Sequence, residues 1–107
     1  MNVADTYCMV IATCGGREEA DKLAEVILKH RLAACVQLMP ITSHYEWKQE
    51  IHKDEELMLF MKTRTALYDR LEALILKHHS YEVPEIVRLP IRGGLKDYLN
   101  WIDEVTV

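Results

Sequence analysis

The chain is poor in the features that usually announce a function. Its three cysteines, Cys8, Cys14 and Cys35, are an odd number without C-x-x-C spacing, which excludes a disulfide framework and a zinc knuckle and fits reduced thiols. There are four glycines and three prolines, too few for a flexible linker, and neither repeats nor low-complexity segments are present. The Gly-Gly pairs at 15–16 and 93–94 belong to neither G-x-G-x-x-G nor G-x-x-x-x-G-K, so no phosphate loop is encoded. No apolar run approaches the roughly 20 residues of a membrane span, and the opening MNVADT is polar rather than a hydrophobic signal region. The formal charge is −4, with Lys and Arg interspersed among acids and no basic stripe. That pattern argues against nucleic acid and against an anionic membrane as partners. A single cytoplasmic domain is the expectation, since 107 residues suffice for one core and no second lobe.

What is present is regular patterning. YCMVIATC, residues 7–14, is apolar or small throughout and reads as a strand buried on both faces. GREEADKLAEVILKHRL follows as a helix, with acids in its first turn, basic residues in its last, and Ala20, Leu23, Ala24, Ile27 and Leu28 as the apolar stripe. AACVQLMPITSHYEW predicts a long strand interrupted at Pro40, KQEIHKDEE its polar turn, and LMLFMKT the returning strand. A second helix is expected from about residue 65 to His78, a short strand in EIVRLPI, and a terminal helix in LKDYLNWIDEV.

The order βαββαβ plus a helix is that of the split β-α-β, ferredoxin-like sandwich, an α+β fold with an antiparallel sheet of order 4-1-3-2 and both crossover helices on one face. The other face is then bare. Yet Leu57, Leu59 and Met61 oppose Met58 and Phe60 across the third strand, and Cys8, Val10 and Ala12 oppose Met9 and Ile11 across the first. Burying such a face is worth about 25 cal/mol per Å² of apolar surface, so the pattern predicts a homo-oligomer packed through its sheets.

With these segments placed, a family pattern emerges. LAACV at 32–36, Y-x-W at 45–47, the stretch from Glu56 to Lys62-Thr63, H-x-Y-E-V-P-E at 79–85 and Y-L-x-W-I at 98–102 follow in order and spacing, and the chain resembles the CutA family of divalent-cation tolerance proteins. The resemblance implies a homotrimer with its sheets turned inward, a role in tolerance of copper and other divalent metal ions, and no catalysis. It implies copper, Cu(II) or Cu(I), as the bound ion, with none required for folding. Two positions depart from the family pattern: Ala12 stands where some members carry a ligand cysteine, and Ser80 where proline is usual.

Tracing the strands end to end brings Cys14, Glu56, His78, His79, Tyr81, Glu82 and Glu85 toward one end of the protomer, with Cys35 at the other. Thiolate and imidazole suit Cu(I), imidazole and carboxylate Cu(II) or Zn(II), which makes His78, His79, Cys14 and Glu56 the candidate metal ligands. Adjacent helical histidines diverge by about 100 degrees, so one of the pair serves, and His79 is the expected inward member. The competing reading is a capped helix end or a polar subunit contact. Cys14, beside a helix N-terminus, is the thiol expected to have a lowered pKa. Tyr45, Trp47, Tyr81, Glu85 and Trp101 are expected at a subunit interface or in an inter-subunit cleft. Two alternatives stay open: a signalling or scaffold trimer like the PII proteins, binding an anionic metabolite or partner protein through Lys62, Arg64, Arg88 and Arg92, and, ranked last, an enzyme using the His-Glu-Tyr cluster.

Overall fold

The doubly apolar run Tyr7–Cys14 forms β1, one of the two central strands, in the computed structural model, which describes residues 6–107. The polar opening MNVAD lies outside the described residues. After β1 come α1 (Arg17–Lys29), β2 (Cys35–Trp47), β3 (Glu50–Arg64), a 3₁₀ turn at Thr65–Leu67, α2 (Tyr68–His78), β4 (Ile86–Ile91) and α3 (Lys96–Val105). The sheet runs β2-β3-β1-β4, antiparallel throughout, which is the expected ferredoxin-like order read from its other edge.

Alternation along the strands divides the molecule into two sides. Cys8, Val10, Ala12 and Cys14 of β1, with Leu57, Leu59 and Met61 of β3, meet Leu23 and Ile27 of α1 and Leu71 and Ile75 of α2 in one buried cluster. The intervening residues Met9, Ile11, Met58 and Phe60 point to the opposite face, where they are half-buried and join exposed Met39, Val87 and Leu89. α3 covers only one end of that face, packing Ile102 against Tyr7 and Ala34. The anticipated second apolar face is therefore real and largely uncovered within one chain.

The structure corrects the hairpin in two respects. β2 is continuous through Pro40, which pairs opposite Leu57; β2 is an edge strand, where the missing N–H of a proline can fall on the unpaired side. The polar stretch 48–56 is mostly strand rather than turn. Only Lys48 and Gln49 turn the chain, with φ of 52° and 69°, the left-handed pair that a two-residue hairpin loop requires. β1 stops pairing with β3 at Leu57, so Ile41–Trp47 and Glu50–Glu56 project past the sheet as a two-stranded arm in a molecule 44 Å long.

Arg31 ends α1 in the left-handed region at φ 55°, where glycine is usual. Its side chain explains the choice. Nε donates to the Val105 carbonyl at 3.2 Å and Nη2 to the Glu104 carbonyl at 3.3 Å, capping the C-terminus of α3. Tyr7 Oη donating to Asp103 at 2.6 Å holds the same helix to β1.

Candidate functional site

The end of β1, the end of α2 and the projecting arm converge, as the end-to-end tracing anticipates. α2 stops at His78, and the segment that follows crosses the top of β1. The two histidines diverge: His78 is exposed, whereas the His79 side chain is only 1% exposed. Both His79 ring nitrogens are engaged. The Tyr81 N–H donates to Nδ1 at 3.0 Å, which leaves the ring proton on Nε2 to donate to the Thr13 carbonyl at 2.7 Å. The imidazole thus ties the α2 end to β1, and it stands edge-on to the Tyr81 ring at 4.8 Å.

Ser80 reinforces the tie. Its N–H donates to Glu19 Oε2 at 2.8 Å and its hydroxyl to Oε1 at 3.0 Å, so the position where the family resemblance leads one to expect proline supplies two donors, neither of which proline has. Burial alone would raise the Glu19 pKa, but these two hydrogen bonds and the Gly15 N–H together hold it below its ordinary value of 4.5. A depressed carboxylate pKa stabilises the fold above the unfolded-state value and ceases to do so as pH falls through the folded-state value. Glu19→Gln is therefore expected to flatten the acid limb of stability against pH: between pH 6 and 3 the urea midpoint of the variant falls less than that of the parent. Equal slopes would contradict this assignment.

Tyr81 reaches the arm. Its hydroxyl donates to Glu56 Oε2 at 2.8 Å, and burial, that hydrogen bond and the Glu56 charge raise its pKa far above 10. A β-carbon on Gly15 would lie 3.2 Å from the Tyr81 hydroxyl, so glycine there leaves room for the ring. On the arm, Tyr45 Oη donates to Asp54 and its ring stacks on His52 at 5.4 Å.

Between the arm and residues 81–85 lies a cleft of about 490 Å³. Tyr45, Trp47, Glu56, Tyr81, Glu82 and Glu85, six of the residues singled out from sequence, line it. Sequence reasoning did not pick out Thr13, Ser43, His44 and Val83 as lining residues; the period-2 relation of Ser43 to Tyr45 is the one signal that pointed to any of them. Trp101 lies elsewhere, beside Tyr98 at 5.6 Å between ring centroids, and Tyr98 meets Cys35 at 3.6 Å between Oη and Sγ at the opposite end of the sheet.

The four candidate metal ligands are near one another without forming a coordination set in one chain. His79 has no free nitrogen. Cys14 is buried and its Sγ–H donates to the Gly16 carbonyl at 3.6 Å. The expected lowering of its pKa is reversed: burial pushes the thiol up, and the charges of Glu19 and Glu56 add to that, outweighing the Gly16 hydrogen bond. His78 opens instead into a second hollow with Glu18, Glu19 and Ser80. Among the described residues no three His, Cys, Asp or Glu side chains are grouped to hold a metal ion. The cations of an anion-binding reading are engaged as well, Lys62 with Gln37, Arg64 with Thr106 and Arg88 over the Tyr68 ring.

Fold and site define a ferredoxin-like domain with an uncovered apolar sheet face and an acidic, aromatic cleft beside its hairpin arm. The chain belongs to the CutA1 divalent ion tolerance protein family, whose profile matches residues 8–105. It is 41% identical over 99 residues to the divalent-cation tolerance protein CutA of Thermus thermophilus, covering 92% of this chain and 96% of that one. It is also 41% identical to mouse protein CutA over 97% of its own length, and spans 59% of the length of that relative. Among solved structures, rice CutA1 superposes with a TM-score of 0.93 at 37% identity, covering 98% of this chain and 97% of that one. The periplasmic divalent cation tolerance protein CutA of Archaeoglobus fulgidus superposes at 0.91 and 35% identity, covering 92% and 97%. No helix among the described residues is long and apolar enough to cross a membrane.

Proposed function

We propose that this chain acts as a cytoplasmic, non-catalytic homotrimer in divalent-cation tolerance and takes up copper through exposed donors, His78 foremost. The observation that carries the assembly is the open sheet face, where Met9, Ile11, Met39, Met58, Phe60, Val87 and Leu89 are left half-buried or exposed by a single chain. A monomer would leave that contiguous patch in water. Membership of the divalent ion tolerance family supports the role, and the exposure of the His78 imidazole supports the ligand assignment. His79 has a different part, holding the α2 end to β1.

Copper titration of the assembled protein separates the two histidines. His78→Ala is expected to lower stoichiometric copper uptake while leaving thermal stability within about 0.5 kcal/mol, the usual range for a surface change. His79→Ala is expected to cost about 1–3 kcal/mol of stability by orphaning the Tyr81 N–H and the Thr13 carbonyl, with uptake little changed. Copper uptake indifferent to His78→Ala would overturn the ligand assignment. The PII-like alternative has less support, because the cleft beside the arm is lined by carboxylates and three of the four cations it needs are already engaged.

A further inference from the structure

The cleft beside the arm has a composition that copper uptake through His78 does not use. Three glutamates, Glu56, Glu82 and Glu85, line it together with the rings of Tyr45, Trp47 and Tyr81. No lysine or arginine is among its lining residues. Carboxylates around aromatic faces form a surface for a cation, and the ring faces favour an organic one. The carboxylates do not converge as a metal centre requires, for no three acidic or imidazole groups are clustered for coordination among the described residues.

One primary ammonium already sits at the rim. Lys48 is at the hairpin turn, held there by the left-handed pair Lys48-Gln49. Its Nζ lies 5.7 Å from the Trp47 ring centroid and 4.0 Å from Glu82 Oε2. Ring and carboxylate are both cleft-lining residues, so the chain itself shows how this surface receives an alkylammonium group. The Lys48 and Glu82 side chains are 73% and 74% exposed, an open pair that a free ligand can displace. Val83, exposed and also lining the cleft, adds an apolar wall for a methylene chain.

We infer that the cleft binds a small aliphatic amine, with Trp47 and Glu82 receiving its ammonium group and Lys48 acting as a tethered competitor for the same place. This goes beyond the metal-tolerance reading and does not depend on it. Glu82, Glu56 and Glu85 all line the cleft of a single chain, so a diamine such as cadaverine can offer its second ammonium group to one of the other two carboxylates.

The test is calorimetric titration of the purified full chain, kept in EDTA at low ionic strength, with cadaverine and with its neutral isostere 1,5-pentanediol. Saturable heat is expected with the diamine and none with the diol. Trp47→Ala and Glu82→Gln should each weaken binding about tenfold, as loss of a cation–π or charged contact does. Lys48→Ala should strengthen it by a factor of about three or more, since an exposed ion pair of modest worth no longer competes. That last sign is opposite to the one expected if Lys48 only props up the cleft. Absence of heat with cadaverine, equal heat with the diol, or weaker binding in the Lys48→Ala protein would overturn the inference. Because EDTA removes copper, such a failure leaves the copper reading untouched, and loss of copper uptake in the His78 variant leaves this one untouched.

Discussion

Phe60→Asp is expected to break the proposed trimer into single chains. Phe60 lies in the middle of β3, paired with Ile11 of β1 and Gln37 of β2, on the face opposite α1 and α2, of which α3 covers only one end. In an assembly packed through this face, the new carboxylate would be withdrawn from water without a partner, at a cost on the order of several kcal/mol per ion even after relaxation. Repeated in each copy, that penalty exceeds what a standard interface can absorb. Sedimentation velocity at micromolar concentration should show the parent as a three-chain species and the variant as one chain, with the far-ultraviolet circular dichroism of both alike. A parent that sediments as one chain, or a variant that stays assembled, would remove the basis for the trimer.

Leu59→Ala, one residue away on the same strand, is expected to act on the protomer instead. Leu59 is 1% exposed, pairs with Ala12 and Leu38, and belongs to the cluster shared with α1 and α2. Removing its isobutyl group at the centre of a close-packed layer should cost about 2–5 kcal/mol, the range for such truncations in rigid cores. Denaturant unfolding should show the loss as a lower midpoint, while the sedimentation coefficient below the transition stays at the parental value. A change under about 1 kcal/mol would mean that the layer collapses onto the gap more readily than its burial implies. Because the two side chains point to opposite faces, the pair of substitutions separates assembly from folding in a way neither does alone.

The fold was legible because each element carries its own period. Of the expected apolar stripe of α1, Ala20, Leu23 and Ile27 are buried, Ala24 is half-buried and Leu28 at its edge is exposed, and the two-sided apolar pattern of β1 and β3 returns as one helix-covered and one open face. The tight hairpin was not legible, since Lys48 and Gln49 adopt positive φ without the glycine or asparagine that signals such a turn. The polar residues of the arm alternate between two solvated faces and leave no hydrophobic period to read. Arg31 hid its helix end in the same way, because the contacts that compensate its backbone come from carbonyls at the far end of the chain.

For the site, the convergence of Glu56, Tyr81 and Glu85 followed from strand direction alone, whereas the commitment of each donor did not. Whether His79 has a free nitrogen depends on the Thr13 carbonyl and the Tyr81 N–H, and whether Cys14 ionises depends on the depth of its burial. Neither is a property of local sequence. Ser80 could have been a signal: a residue that restores an N–H where the resemblance leads one to expect none suggests a nearby acceptor, which turned out to be Glu19.

The prolines at the two margins of the sheet carry a consequence of their own. Pro40 stands in β2 and Pro90 in β4, so each flank has one backbone position that can never donate to a newcomer. A strand laid along either flank meets an interruption part of the way along, which discourages the endless stacking that leads to fibres. In the proposed trimer, growth would thereby be biased toward a finite ring that shuts on itself, and the uncovered apolar face would be carried safely while the chains find one another.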